Sequence, residues 1–180
     1  MINQAGINDF YLNGIEPPDC AFKRLEHLKY SGLALVSKIQ PGESVIDIGC
    51  GNNIFKKFIP NLIGIDPVYD AADHKTDLQN FVTDKKFNVA FCLGSIMHGN
   101  SNDIEQQISR VVNLLTLNSR IYWRVKPGFS NSNLDKFSWT LNDHYVFAEK
   151  FGFDVVDYAW EILNTGDPTP DRLYVEWVRS

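Results

Sequence analysis

The chain has 180 residues, and 17 basic against 22 acidic side chains leave a formal charge of −5. Hydrophobic residues make up 44% and charged residues 22%, which excludes a disordered chain, a collagen-like repeat and a disulfide scaffold and points to one folded domain with its own core. The acidic balance disfavours nucleic acid as a partner, because its binders usually present a net basic face.

Cys20, Cys50 and Cys92 are odd in number and lack CxxC spacing, so neither a disulfide framework nor a metal site is expected. No stretch reaches the ~18 apolar residues of a membrane span, and MINQAGINDF lacks the basic and apolar parts of a signal peptide. A soluble, cytoplasmic protein that does not engage a membrane is the expectation.

Residues 18–39 carry Phe22, Leu25, Leu28, Leu33, Leu35 and Val36 near helical spacing, which predicts one or two helices with a break at Ser31-Gly32. They make residues 1–40 an N-terminal helical cap on an α/β core over 41–180. The β-branched run at 44–48 predicts a buried strand, and 52–58 fits only a short helix before Pro60. LIGI at 62–65 predicts a second strand stopped by Asp66-Pro67, with a weak third at 74–76. FNVAFCL at 87–93 predicts another buried strand.

Ile104, Ile108, Val111, Val112, Leu114 and Leu115 predict an amphipathic helix over 103–117 with caps at 101–103. A strand at 121–125 ends before Pro127-Gly128, a polar loop covers 129–137, and a helix over 140–151 closes at Gly152. Strands at 153–162 and 172–179 are joined by the turn-rich NTGDPTPD. This order predicts an α/β three-layer sandwich with a seven-stranded, mostly parallel sheet and an antiparallel last strand.

The strongest local signal is Val45-Ile46-Asp47-Ile48-Gly49-Cys50-Gly51-Asn52-Asn53, a strand that turns through two glycines into a short helix. Glycine has no Cβ, so a ligand can lie directly against such a turn. Asp47 sits inside the strand, where a carboxylate needs donors from the loop or from a ligand amine. The dinucleotide pattern GxGxxG would need glycine at Ile54, which argues against nicotinamide and flavin cofactors.

This run resembles the first motif of the class I S-adenosylmethionine (SAM)-dependent methyltransferases, hhDhGxGxG with h apolar. Asp47, Gly49 and Gly51 match, and Asn53, a residue tolerant of left-handed backbone, stands at the usual third glycine. Ile63-Gly64-Ile65-Asp66 is similar to the second motif, whose acidic residue binds the ribose hydroxyls. Thr76-Asp77-Leu78 resembles the third, in which the acid meets the adenine amino group and the apolar neighbour packs on the ring. The stretch from Phe87 onward through Ser95 and His98 resembles the fourth strand and its turn, with Asn88 replacing the usual Asp. Matches to the later helix, the fifth strand and the segment 147–156 extend the resemblance over roughly residues 40–179.

The resemblance implies a single methyltransferase domain with a Rossmann-like core, SAM as cofactor, and Asp47, Gly49, Gly51, Asn53, Asp66, Asp77 and Leu78 as cofactor-binding residues. His98, just beyond the fourth strand, is the candidate base or orienting residue, with Ser95 beside it and Asn100 on the same edge. Tyr11, Tyr30 and Trp139 fall in regions that cover the substrate in this family. Lys126 and Glu176 resemble two members of the Lys-Asp-Lys-Glu tetrad of ribose 2′-O-methyltransferases, but Leu93, Gly94 and Ser95 occupy the stretch where its Asp would stand. The [DN]PP[YF] and Pro-Cys signatures of nucleic-acid methyltransferases are absent, so a small-molecule or peptide-borne O or N acceptor is expected. A SAM-binding module without turnover, an RNA methyltransferase and a nicotinamide-dependent oxidoreductase remain open alternatives.

Overall fold

The computed structural model describes residues 29–30, 32–127, 136–161 and 172–179. Tyr11, Cys20, most of the expected 18–39 helix, most of the 129–137 loop and the NTGDPTPD turn lie outside the described residues.

The strands are β1 (Val45–Ile48), β2 (Leu62–Ile65), β3 (Phe87–Leu93), β4 (Leu115–Val125), β5 (Asp154–Glu161) and β6 (Arg172–Arg179). They form a sheet of order β2-β1-β3-β4-β6-β5, six-stranded among the described residues. The strands β1–β4 pair in parallel and β6 runs antiparallel to both β4 and β5, as the element order predicts. The expected strand at 74–76 is reduced to one parallel bridge from His74 to Ile65, because the Thr76 amide donates back to the His74 carbonyl (3.0 Å) and not across to β2.

All four residues of β1 are buried, which explains its unbroken apolar reading apart from Asp47. One sheet face packs on helices α1 (Ser101–Asn113) and α2 (Leu141–Lys150) through Ile46, Ile104, Ile108, Val111, Trp123, Phe147 and Trp177. The other packs on the 3-10 helices Gly32–Lys38 and Ile54–Lys57, with Tyr30, Leu35, Phe55, Phe91 and Tyr122 between them. Buried Trp123, Trp139 and Trp177 anchor the first face. Rings of that size remove roughly 150–250 Å² each from water, or about 4–6 kcal/mol apiece before conformational entropy is counted.

Two boundaries differ from expectation. The helix α1 stops at Asn113 rather than Leu117, since Leu115 pairs with Phe87 at the start of β4. The register then jumps so that Arg120 faces Val89, and Arg179 holds the displaced stretch through the carbonyls of Thr116 (2.7 Å) and Leu117 (3.1 Å). The helix also starts from Asn100, not from 101–103. The Asn100 side chain accepts from the amides of Asn102 and Asp103 while Asp103 reciprocates to the Asn100 amide, a capping box.

Candidate functional site

The chain leaves β1 leftward to β2 and later returns rightward to β3, so the carboxyl ends of β1 and β3 diverge and open a crevice there. A cleft of about 420 Å³ occupies this point. Ile48 and Gly49 at the end of β1, Ile65 and Pro67 at the end of β2, and Ser95 and Ile96 just after β3 supply three sides. Thr76, Asp77, Leu78 and Gln79 form another wall, and Asp103, Gln106 and Gln107 of α1 close it with His98.

Gly49 has φ +73°, and a Cβ there would lie 2.6 Å from Ser95 Cβ. Only a glycine lets the two loop ends meet at the cleft floor. Its amide is fixed by the Ile65 carbonyl (2.9 Å), and Ser95 Oγ is buried without a hydrogen-bond partner among the described residues.

Asp47 is 3% exposed within the fully buried β1, and no hydrogen bond among the described residues reaches its carboxylate. Burial pushes its pKa up to about 7, against the pull of the Arg124 guanidinium and with some help from Asp66. Asp66 meets the opposite environment, accepting from the amides of Val68 (2.8 Å), Tyr69 (3.1 Å) and Gly51 (3.0 Å). Burial works against its charge, but these three donors prevail and hold the carboxyl below the usual carboxylate range. Asp66 thus braces the glycine turn at the end of β2.

Asp77 and Leu78 line the cleft. Asp77 is exposed and gripped by Asn80 through its amide (2.9 Å) and both carboxylate oxygens, which lowers its pKa. Asn53 adopts φ +53°, as anticipated for a glycine stand-in, but its side chain turns to the Ala71 carbonyl (3.1 Å) and Asp73 (3.3 Å) and does not line the cleft. Gly51 and Asp47 likewise lie behind Gly49 and off the cleft wall.

His98 is exposed into the cleft, and Gln107 Nε2 holds its backbone carbonyl at 2.9 Å. The side chain of Asn100 is spent on the cap of α1 and does not line the cleft, so it is not available to orient a substrate. Tyr30 (2% exposed) and Trp139 (0%) belong to the core and do not wall a substrate. Trp139 instead stacks on His144 and donates from Nε1 to the Ile96 carbonyl (2.9 Å), which fixes one side of the cleft from behind. Glu176 accepts from Lys38 (2.9 Å) and Tyr122 (3.1 Å) and pairs in register with Tyr122. Lys126 lies four residues further along, about 13 Å at strand rise, so the tetrad-like pair does not assemble.

Sequence reasoning missed Pro67, Gln79, Asp103, Gln106 and Gln107. The last three recur at helical spacing on the polar side of α1's first turns, a pattern that reads as ordinary solvated surface until the helix is docked. It also missed Arg124, whose Nη2 donates to the Leu93 carbonyl beside the cleft.

No family model and no curated protein matches the chain. Among solved structures, it is similar to the N-methyltransferase NodS from Bradyrhizobium japonicum WM9 in complex with S-adenosylhomocysteine, with a TM-score of 0.68 and 16% identity over 98% of this chain and 99% of that one. The 1,6-didemethyltoxoflavin-N1-methyltransferase of Burkholderia thailandensis gives a TM-score of 0.62 and 13% identity, covering 77% of this chain and 71% of its own. The plantazolicin methyltransferase BpumL gives 0.55 and 18%, covering 81% and 79%. Likeness at these identities is one of fold.

Proposed function

We propose that this chain, which has the fold of the class I SAM-dependent methyltransferases, binds SAM and transfers its methyl group to a small-molecule or peptide-borne O or N acceptor. The observation that carries the reading is a bare Gly49 turn at the cleft floor, at the sheet's switch point, that follows two residues after the buried Asp47, whose carboxylate meets no hydrogen-bond donor among the described residues.

The residues fit the cofactor. An ammonium group would supply the donor that Asp47 lacks, the Gly49 turn admits a chain pressed against its backbone, and the cleft wall offers Leu78, Ile65 and Pro67 to a flat ring with Asp77 beside them. Asp66, Gly51 and Asn53 shape the turn, and Asp66, which does not itself line the cleft, is the residue we assign to the ribose hydroxyls. Bound SAM supplies an electrophilic methyl on a sulfonium. The protein's part is to align the acceptor and exclude water, and His98 either removes the acceptor's proton or orients it, with the unpartnered Ser95 Oγ as a second contact. Two of the similar enzymes are N-methyltransferases by name, which keeps nitrogen acceptors in view.

The test gives the protein and its His98→Ala variant labelled SAM with metabolite, peptide and RNA pools. Label is expected in a metabolite or peptide, with the variant ~100-fold to 10,000-fold slower at nearly unchanged SAM affinity. Label in RNA alone would overturn the acceptor class, equal rates would confine His98 to a structural role, and binding without transfer would leave a SAM-binding module.

A further inference from the structure

The register places Asp47 opposite Phe91, and Phe91 opposite Tyr122, so Asp47 and the alternate residues of β4 share a sheet face. Arg124 lies on that face two residues nearer the cleft edge, opposite Leu93. Its guanidinium crosses above the strand end, donating to the Leu93 carbonyl, and passes the spot where a Cβ on Gly94 would stand 3.2 Å from Nη2. Gly94 has φ +96° and no side chain, so the crossing is open. The charged and titratable groups that act on Asp47 are this guanidinium from β4, the Asp66 carboxylate after β2, and the neighbouring thiols of Cys50 and Cys92. Burial keeps both thiols protonated, and Asp66 repels, so Arg124 is the one attractive charge among them.

We propose that Arg124 is a positioning residue: it is the counter-charge that holds Asp47 as a carboxylate and thereby sets the affinity for the ammonium group of the cofactor. This rests on the reading of the cleft as a SAM site. A carboxylate this buried, without a donor of its own, stays charged only while a cation faces it. The raised pKa of Asp47, about 7, puts its protonation inside the working range. Below that pH a proton must leave Asp47 before the ammonium can bind, and affinity falls about tenfold per pH unit.

The experiment measures S-adenosylhomocysteine binding by calorimetry from pH 5.5 to 8.5 for the wild type, Arg124→Met, Arg124→Lys, Asp47→Asn and the Asp47→Asn/Arg124→Met double variant. Carbon-13 titration of the Asp47 carboxyl in the ligand-free proteins accompanies it. The expected result is a wild-type affinity that weakens below pH 7 and an Arg124→Met knee displaced upward. That variant should bind about tenfold weaker at pH 7 and within a few-fold of wild type at pH 8.5. Arg124→Lys should restore the profile, and in the Asp47→Asn background the Arg124→Met change should shift affinity less than about twofold. A loss of equal size at every pH would overturn the proposal in favour of direct ligand contact, and an unmoved knee would overturn it outright. If no variant binds at any pH, the SAM reading fails, and the ligand-free titration still decides whether Arg124 governs Asp47.

Discussion

Asp47 places a ligand's need against the fold's. Its carboxyl titrates near 7 in the folded chain against an ordinary 3.8, so between those values the folded state holds a proton that the unfolded state has released. Stability therefore falls as pH rises through that window and is lowest, on this account, above pH 7. Asp47→Asn should stabilise the protein at pH 8 by roughly 2–4 kcal/mol in urea denaturation, with the gain shrinking toward pH 5, while S-adenosylhomocysteine binds more weakly but still measurably. Equal gains at pH 5 and pH 8 would contradict the assignment. Gly49→Ala acts the other way, because its Cβ would stand 2.6 Å from Ser95 Cβ at φ +73°. It should cost on the order of 2 kcal/mol or more and deform the cleft floor. Both positions were legible in the sequence, since a charge and two glycines interrupt an apolar strand. Arg124 was not, because a basic residue within IYWRV reads as the solvent-facing member of an alternating pair and nothing local reveals that Leu93 and Asp47 lie beside it.

Helix α1, which closes the cleft, and its neighbour α2 are held by local chemistry and by buried rings. Asn100 caps α1 with a reciprocal pair to Asp103, and Asn100→Ala should destabilise by about 1 kcal/mol, measurable as a shifted denaturation midpoint at unchanged slope. In α2, whose Thr140 cap repeats the pattern, His144 is wholly buried against Trp123, Trp139 and Trp177 with neither ring nitrogen partnered among the described residues. Burial depresses its pKa from 6.5 to about 3. The unfolded chain takes up a proton there that the folded chain refuses, so stability is lost as pH falls from 6.5 toward 3. His144→Phe should lose about 2–3 kcal/mol less than wild type between pH 7 and pH 4.5, and an identical acid profile would show that His144 finds a partner or reaches water. Strand and helix identities were legible because their apolar periods are unambiguous. The end of α1 was not, since Leu114 and Leu115 satisfy the helical period equally well, and only pairing with Phe87 turns Leu115 into strand.

Over the whole molecule, the parallel strands with one antiparallel member and the order reversal between β1 and β3 decide where a ligand can sit. That architecture followed from the alternation of elements, apart from the residues at 74–76, whose strand character depends on a single bridge to Ile65. The α1 wall of the cleft did not follow, because Asp103, Gln106 and Gln107 become site residues only once the helix docks beside β3. Among the described residues no helix is long and apolar enough to cross a membrane. Calorimetry at pH 8 with S-adenosylhomocysteine and with NAD decides whether this cleft binds SAM. The expected result is one site per chain for S-adenosylhomocysteine, with Kd on the order of micromolar, and a thermal stabilisation that grows with ligand, about 2.7 kcal/mol at roughly 100 times Kd, with no response to NAD. Binding of NAD, or no heat and no stabilisation with S-adenosylhomocysteine at millimolar concentration, would contradict it.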